Sequence, residues 1–335
     1  MALATRPLGR TGLVVSRLGL GLAAIGRPGY ITLGRSQDLP AERTPDALYA
    51  RCADVLDAAH AAGVRYVDVA RSYGRAEEFL ARWLAERALA ADAPTVGSKW
   101  GYRYTAGWEV AAAVHEQKEL SRARFAQQLA ESRALLGDRL ALYQIHSATA
   151  ESGVLADEPL LRALVDARRA GAFRALGLTL TGADARRTLD LAVGLRLDGE
   201  PVFDVVQATF NVLEPSLREG LAVAHAAGLG VIVKEAHANG RLTAANARAG
   251  DAALCTELGR IAAATGVPVD RLALAFVAAE PWADVVLSGA ATVAQLRSHV
   301  AAMDAALPPN ACDALALLAE PPEAYWRTRS SLAWT

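Results

Sequence analysis

Short apolar runs alternate with helix-like segments along almost the whole chain, and this alternation constrains the fold more than any other feature of the sequence. Eight runs are predicted to be strands, at residues 18–22, 64–68, 94–99, 139–146, 173–178, 203–209, 229–235 and 284–288. Segments with helical periodicity separate and follow them, at 46–62, 77–88, 121–136, 157–169, 183–194, 216–227, 251–264, 269–279, 292–305 and 310–318. Parallel strands need helical crossovers, so the pattern predicts an α/β fold whose parallel sheet closes into a (β/α)8 TIM barrel.

A doubly wound open sheet is the alternative fold, but no G-x-G-x-x-G opens the first helix. The R-T-G turn signal between two short runs predicts an N-terminal β-hairpin at residues 6–17. The 335 residues suit a single barrel domain spanning 1–335. The tail at 319–335 lacks a helical pattern. Its Tyr325, Trp326 and Trp334 either fold back over the barrel or contact another subunit.

Ionisable residues stand at the ends of three neighbouring predicted strands. Asp68 ends one strand and Tyr73 follows in its loop, while Lys99 and His146 end the next two. Each residue alone suits a helix cap, a solvated surface group or a packed rim residue. The carboxyl ends of barrel strands converge on one face, however, and catalytic groups gather there. We therefore predict that these four residues form one site.

The same residues resemble the catalytic motifs of the aldo-keto reductases. The resemblance starts with R-P-L-G-R-T-G-L-V-V-S-R-L-G-L-G at 6–21 and continues through D-x-A-x-x-Y-G-x-x-E at 68–77 to Lys99 and His146. It implies a catalytic tetrad of Asp, Tyr, Lys and His. It also implies a nicotinamide cofactor, NAD or NADP, and a small-molecule carbonyl or alcohol substrate.

The four residue types suit proton transfer to a carbonyl oxygen. A free phenol has a pKa of about 10, and a nearby cation lowers such a pKa by about 1–3 units. Lys99 is predicted to supply that charge, and Asp68 to hold Lys99 in place. Tyr73 is then the general acid of reduction, or the base of oxidation, and His146 orients the carbonyl as neutral imidazole. No cluster of metal-ligand type is visible in the sequence, so no metal is predicted.

The resemblance also implies where the cofactor binds. The family's Ser-Asn pair after the fifth strand corresponds here to Thr179 and Leu180, so one hydrogen-bond partner is replaced. Gln207 matches the family's amide-binding Gln, and Phe210 stands where a Tyr often stacks on the nicotinamide. Further candidates are His237, Asn239 and Arg241, near the expected pyrophosphate position, and the predicted cofactor contacts Gly21, Lys234, Gly289, Ala290, Gln295 and His299. For Lys234, contact with the substrate and a structural pairing with a carboxylate are the alternatives.

The segment after the eighth strand bears on the choice between NAD and NADP. The turn at 289–292 reads G-A-A-T and suits a phosphate at a helix N-terminus, but it contains no cation. Gln295 stands where a relative may carry Arg, and His299 where the family has an adenine-binding Asn. NAD is therefore slightly favoured over NADP. Elsewhere, Trp100 and Tyr102 belong to an aromatic-rich loop and are predicted to line the substrate pocket.

Composition excludes several classes of protein. The net charge is −1 with no basic stretch, so nucleic-acid binding is not expected. No apolar run approaches the length of a membrane span, and the N-terminus does not resemble a signal peptide. The three cysteines are widely spaced and suggest neither disulfides nor a metal motif. We expect a cytoplasmic protein, and a homo-oligomer is compatible with the sequence.

Three functions remain open at this point. The first is an oxidoreductase that interconverts a carbonyl, in an aldehyde, ketone or sugar-like compound, and an alcohol. The second is an isomerase or lyase that uses Tyr73 as acid and base without net redox, an alternative that the replacement at Leu180 keeps open. The third is a non-catalytic, cofactor-binding accessory subunit, which the intact set of four residues disfavours.

Overall fold

The computed structural model describes residues 3–89 and 92–335. Within these residues, eight parallel strands form a closed barrel in which β1 to β8 pair in chain order and β8 returns to β1. The strands are β1 Leu18–Gly21, β2 Tyr66–Asp68, β3 Thr95–Trp100, β4 Leu140–Ala148, β5 Ala175–Leu180, β6 Val205–Thr209, β7 Gly230–Lys234 and β8 Val285–Ser288. The predicted (β/α)8 barrel is confirmed.

Helices connect the strands and surround the barrel. The helices of the described chain are α1 Arg35–Asp38, α2 Pro45–Ala61, α3 Ala76–Glu86, α4 Arg122–Leu136, α5 Glu158–Arg169, α6 Ala185–Gly194, α7 Arg218–Ala226, α8 Ala252–Thr265, α9 Val269–Ala278, α10 Val293–Ala302, α11 Pro309–Ala316 and α12 Pro322–Ser330. Local chemistry sets several boundaries. Thr44 caps α2 by accepting from the Ala47 amide, with Pro45 in the first turn, and Thr292 caps α10 by accepting from the Gln295 amide.

In the described part of the chain, three two-stranded antiparallel sheets lie outside the barrel. They pair Thr5–Pro7 with Val14–Ser16, Tyr102–Tyr104 with Glu116–Lys118, and Arg196–Leu197 with Glu200–Pro201. The first is the predicted N-terminal hairpin, and its Leu8 and Leu13 pack into the cluster that fills the barrel's amino-terminal end. The second arises in the segment that was predicted to be a loop after Lys99.

The barrel interior changes character along its axis. Apolar side chains including Leu142, Val205, Ile232 and Val285 fill the amino-terminal half, together with Tyr66. Successive side chains of a strand alternate between its two faces, so residues two positions further along also point inward. These are Asp68, Gln144, Gln207 and Lys234. The interior is therefore polar at the carboxyl end of the barrel.

The C-terminal tail folds back over that end, and the prediction of a non-helical tail is wrong. Helix α12 lies at Pro322–Ser330, and its Tyr325 is fully buried with its hydroxyl accepting a 3.1 Å hydrogen bond from the Asn211 side-chain amide. The backbones of Tyr30 and Thr335 exchange two hydrogen bonds. Tertiary packing stabilises a short helix without a regular apolar stripe, which sequence periodicity does not reveal.

In the described chain, no individual helix combines the length and apolar character needed to cross a bilayer. Only a bent pair formed by Ala249–Thr265 and Val269–Ala278, with 80° between them, reaches that length and composition.

Candidate active site

A cavity of about 600 Å³ opens at the carboxyl end of the barrel. Its wall comes from strand ends, from the Tyr102–Tyr104 hairpin, from the turn after β8 and from the C-terminal tail. Asp68, Tyr73 and His146 all line it. The polar end of the barrel interior therefore forms the floor of this cavity.

Asp68 and Lys99 form a buried ion pair at the floor of the cavity. The Lys99 ammonium donates to Asp68 Oδ1 and, at 3.0 Å, to the Val69 carbonyl. Asp68 Oδ2 accepts from the Tyr66 hydroxyl at 3.0 Å and from Gln207 Nε2 at 2.9 Å. Tyr66 reaches this position because Gly97 faces it on the neighbouring strand, where a β-carbon would collide with the Tyr66 hydroxyl. The carboxylate is thus held from both sides.

Tyr73 and His146 complete the group of four. Their ring centroids lie 5.6 Å apart at 80°, and Lys99 Nζ lies 4.8 Å from the centroid of the Tyr73 ring. Tyr102 packs on the other side of His146 with 4.9 Å between ring centroids. The structure therefore brings the four predicted residues together around one end of the cavity.

The electrostatics of Tyr73 differ from the prediction. Burial and then the Asp68 carboxylate raise the pKa of the phenol well above its usual value, against the opposing charge of Arg27. The prediction of a pKa lowered by Lys99 is wrong, because Lys99 is paired directly with Asp68. Tyr73 therefore keeps its proton at neutral pH.

His146 is neutral in this setting. Burial, followed by the positive charges of Lys99 and Lys234, holds the pKa of its imidazole well below the usual value. Its Nδ1 atom is buried and has no hydrogen-bond partner among the described residues. A neutral imidazole in this position can donate a hydrogen bond to an oxygen atom bound in the cavity.

Comparison with known protein families agrees with this geometry. A model of the Aldo/keto reductase family matches residues 17–319, which is most of the chain. This chain belongs to the aldo/keto reductase family. Membership supports an oxidoreductase that acts on carbonyl compounds or alcohols. Among curated protein sequences, no significant match is found.

Solved structures of aldo/keto reductases share the fold. An aldo-keto reductase from Bacillus halodurans in its holo form is 21% identical, with a TM-score of 0.72 over 95% of this chain and 97% of that chain. An aldo-keto reductase candidate from Pseudomonas aeruginosa is 24% identical, with a TM-score of 0.64 over 89% of this chain and 93% of that chain. At these identities the similarity establishes the fold alone.

The predicted cofactor contacts of this aldo/keto reductase divide into two groups. Six line the cavity, namely Gly21, Gln207, Lys234, Gly289, Gln295 and His299. Three do not. The Thr179 hydroxyl instead accepts from the Ser147 amide at 2.7 Å, and Thr181 takes its place on the cavity wall. Ala290 is buried beside the lining residues Gly289 and Ala291.

Phe210 and Trp100 are the other corrections to the predicted site. Phe210 is fully buried behind the barrel, where it packs on Phe276 and Trp282 with centroid distances of 6.1 and 5.0 Å. Trp100 is fully buried and packs on Phe125 of α4 at 5.2 Å. Trp100 directly follows the inward-facing Lys99, so strand alternation turns it to the outside of the barrel. Tyr102 lines the cavity, as predicted.

The residues present fit a nicotinamide dinucleotide. The Gln207 and Asn239 side-chain oxygens are buried without partners in the described chain, and both residues line the cavity, where they suit an amide donor. The N-terminus of α10 and the preceding turn offer backbone amides to a phosphate. Arg241 is unavailable, because Asp251 and Glu320 both pair with it, and Arg297 is exposed.

Several residues that line the cavity were not predicted from the sequence. Arg27 is buried, pairs with Glu116 at 3.0 Å, and lies 5.2 Å from the Tyr73 ring centroid. Trp334 stacks flat on His115 with 3.8 Å between centroids, which closes the side wall with the tail. Arg329 donates a hydrogen bond to Glu235, which lies 94 positions earlier in the chain. Only the aromatic content of the tail hinted at any of these contacts.

Proposed function

We propose that this protein is a nicotinamide-dependent oxidoreductase that interconverts a small carbonyl compound and its alcohol, with Tyr73 as the acid of reduction. The observation that carries the proposal is the meeting of Tyr73, His146 and the Asp68–Lys99 pair at one cavity wall. The family match supports the reaction class. An isomerase, a lyase and a cofactor-sensing subunit have no comparable support from the site.

Each residue of the site has a separate role in the reduction. Neutral His146 donates a hydrogen bond that orients and polarises the carbonyl oxygen. Tyr73 delivers its proton to that oxygen, while the bound cofactor supplies the hydride. The Lys99 ammonium is held by Asp68 and packs 4.8 Å from the centroid of the Tyr73 ring, which fixes the position of that ring. In oxidation the same groups act in reverse, with Tyr73 as the base.

We further propose that NAD is bound at least as well as NADP. Among the described residues, the turn at 289–292 supplies no cation. Gln295 is held between the Ala291 amide and the Asp38 carboxylate, each at 2.8 Å. Asp38 lines the cavity, and its negative charge disfavours a further phosphate nearby. The holo form of the Bacillus halodurans relative supports cofactor binding by this fold.

Tyr73→Phe tests the proposal, because it removes only the phenolic oxygen. Reduction of a panel of aldehydes is followed by the absorbance of the reduced cofactor. We expect turnover to fall by about 10²–10⁴, the usual worth of a positioned proton donor. Cofactor binding, measured by quenching of tryptophan emission, is expected to persist.

Tyr104→Phe is the matched control. Its hydroxyl lies in the same hairpin as Tyr102 but outside the cavity lining, and it has no partner in the described chain. This variant should keep its turnover. Near-native turnover of Tyr73→Phe would instead refute the role of Tyr73, and a wild-type protein that reduces no carbonyl with either nucleotide would refute the function.

A further inference from the structure

Lysine is rare in this chain, and its few positions are informative. The 35 basic residues include only three lysines, Lys99, Lys118 and Lys234, and the rest are arginines. All three lysines stand close enough to His146 to influence its charge. Arginine makes the exposed ion pairs, such as Arg82 with Glu86. Lysine differs from arginine by being a compact point charge with three rotatable donors.

Lys234 points into the cavity from the end of β7. It pairs in register with Thr209 of β6, two positions beyond Ile232, which faces the barrel interior. Strand alternation therefore turns Lys234 inward as well. The side chain is 18% exposed and lines the cavity wall.

The charge of Lys234 is only partly compensated. Its ammonium donates to Thr209 Oγ1 at 2.8 Å, and Thr209 in turn donates to Glu235 Oε2 at 2.8 Å. Glu235 itself lies 4.0 Å from the ammonium and also receives Arg329, whose Nε donates to Oε1 at 2.9 Å. Two cations thus share one carboxylate. Within the described chain, the Lys234 ammonium donates a hydrogen bond to one acceptor, Thr209 Oγ1. Its other N–H donors are therefore available on the side of the cavity.

The other cations around the cavity have partners among the described residues, apart from the buried Nε of Arg27. Lys99 is paired with Asp68 and Arg27 with Glu116. Arg35 donates to the carbonyl oxygens of Ala24, Arg27, Pro28 and Thr335. Lys118 donates to the Ser147 carbonyl and stays outside the cavity lining. Lys234 is the lysine of the cavity lining, and its N–H donors are not all engaged by the described residues.

Contacts place Lys234 on the tail side of the cavity. Its ammonium lies 5.8 Å from the ring centroid of Trp326 on α12. Gln295 and His299, by contrast, lie on α10 after β8, where the dinucleotide phosphate is proposed to bind. The ammonium is thus available to a molecule that also reaches His146.

We propose that Lys234 binds a carboxylate of the substrate, so that the enzyme prefers carbonyl compounds that carry an acid group. This inference rests on the proposed function and names its substrate class. A carboxylate brings one negative charge, which matches the single excess positive charge of the Lys234–Glu235–Arg329 cluster. A phosphate monoester carries close to two charges and matches it less well.

The test compares para-carboxybenzaldehyde with its methyl ester, which share the reacting aldehyde and differ in charge. The ratio of kcat/KM for the two compounds is measured in each variant, so any general loss of activity cancels. Wild type should prefer the acid by about tenfold or more, the usual worth of a charged hydrogen bond. Lys234→Met should bring the ratio close to one, and Lys234→Arg should recover part of it.

Lys118→Met is the matched control and should keep the wild-type ratio. The preference of wild type should also decline above about pH 8, since burial lowers the pKa of Lys234 to about 8. A wild-type ratio of one or less overturns the inference. The inference is also overturned if Lys234→Met keeps the wild-type ratio of kcat/KM for the acid and the ester. The same holds if weaker cofactor binding is the only change in Lys234→Met.

A binding measurement separates this inference from the proposed function. Benzoate is titrated into the protein with cofactor present, and tryptophan emission is followed, since Trp334 and Trp326 flank the site. Benzoate should bind wild type and Lys118→Met at least about tenfold more tightly than Lys234→Met. If no aldehyde is reduced but this difference appears, the function fails and the carboxylate site stands. Equal binding by all three proteins overturns the site.

Discussion

Replacing Arg329 by methionine removes the cation that ties α12 to the buried carboxylate of Glu235. The Glu235 side chain is 7% exposed and that of Arg329 is 24% exposed, so the pair is largely shielded from water. Burial would raise the pKa of Glu235, but Arg329 and Lys234 outweigh it and lower the pKa from 4.5 to about 2. The variant leaves this carboxylate with Thr209 and the more distant Lys234.

The loss of folding stability in Arg329→Met can be calculated in two ways. The fall of the Glu235 pKa from 4.5 to about 2 corresponds to about 3 kcal/mol of stabilisation of the carboxylate, to which Arg329, Lys234 and Thr209 all contribute. Breaking a buried ion pair costs about 3–5 kcal/mol, and the remaining Lys234 and partial exposure favour the lower end. Unfolding entropy of about 2.1 cal/mol/K per residue gives a slope of about 0.7 kcal/mol/K for this chain, so Tm should fall by about 4 °C.

The pH dependence of this loss has a defined sign. Glu235 has a lowered pKa in the folded state, so its contribution is complete above about pH 4.5 and disappears as the pH falls towards 2. The difference in Tm between wild type and Arg329→Met should therefore be smaller at about pH 3 than at about pH 7. Differential scanning calorimetry measures both effects.

Two further variants make the test specific. Arg327→Met changes an exposed arginine of the same helix and should leave Tm within about 1 °C. In a Glu235→Gln background, Arg329→Met should cost little more, because the two side chains act as one unit. A fall in Tm below about 1 °C for Arg329→Met alone, or additive losses in the double variant, would refute the reasoning.

Two more predictions concern the chemistry. For a neutral aldehyde, kcat/KM of reduction should stay constant between about pH 6 and 8. The reason is that the pKa of His146 lies well below 6.5 and the pKa of Tyr73 lies well above 10. A decline of kcat/KM centred near pH 6.5 would instead identify protonated His146 as the acid. Dissociation constants at fixed ionic strength should show NAD binding at least as tightly as NADP, and Asp38→Asn should improve NADP binding severalfold by removing a nearby negative charge. A hundredfold preference for NADP in wild type, about 2.7 kcal/mol, would contradict the cofactor proposal.

Some features of the site followed from strand ends alone. Asp68, Lys99 and His146 are predictable because a parallel barrel brings the carboxyl ends of its strands to one face. The prediction for Trp100 failed because it placed this residue in a loop after Lys99, whereas β3 continues through Trp100. A change of one position in a strand reverses the face, so strand ends must be known to a single residue to place such a side chain.

Other features depended on loops and on distant contacts. Phe210 follows β6, and the turn there carries it behind the barrel onto Phe276, which no local pattern indicates. The direction of the Tyr73 pKa was predicted wrongly because Lys99 is neutralised by Asp68 and the phenol is desolvated. Both effects depend on distances that the sequence does not contain.

The sequence by itself determined the barrel, the N-terminal hairpin and the group of four residues, since hydrophobic periodicity and strand-end position are local properties. Tertiary structure alone decided the helical tail, the Trp334–His115 stack and the Glu235–Arg329 pair. It also decided that Lys234 keeps an excess charge facing the cavity. Such contacts join residues far apart in the chain, and charge compensation is a property of their final distances, which only the folded chain defines.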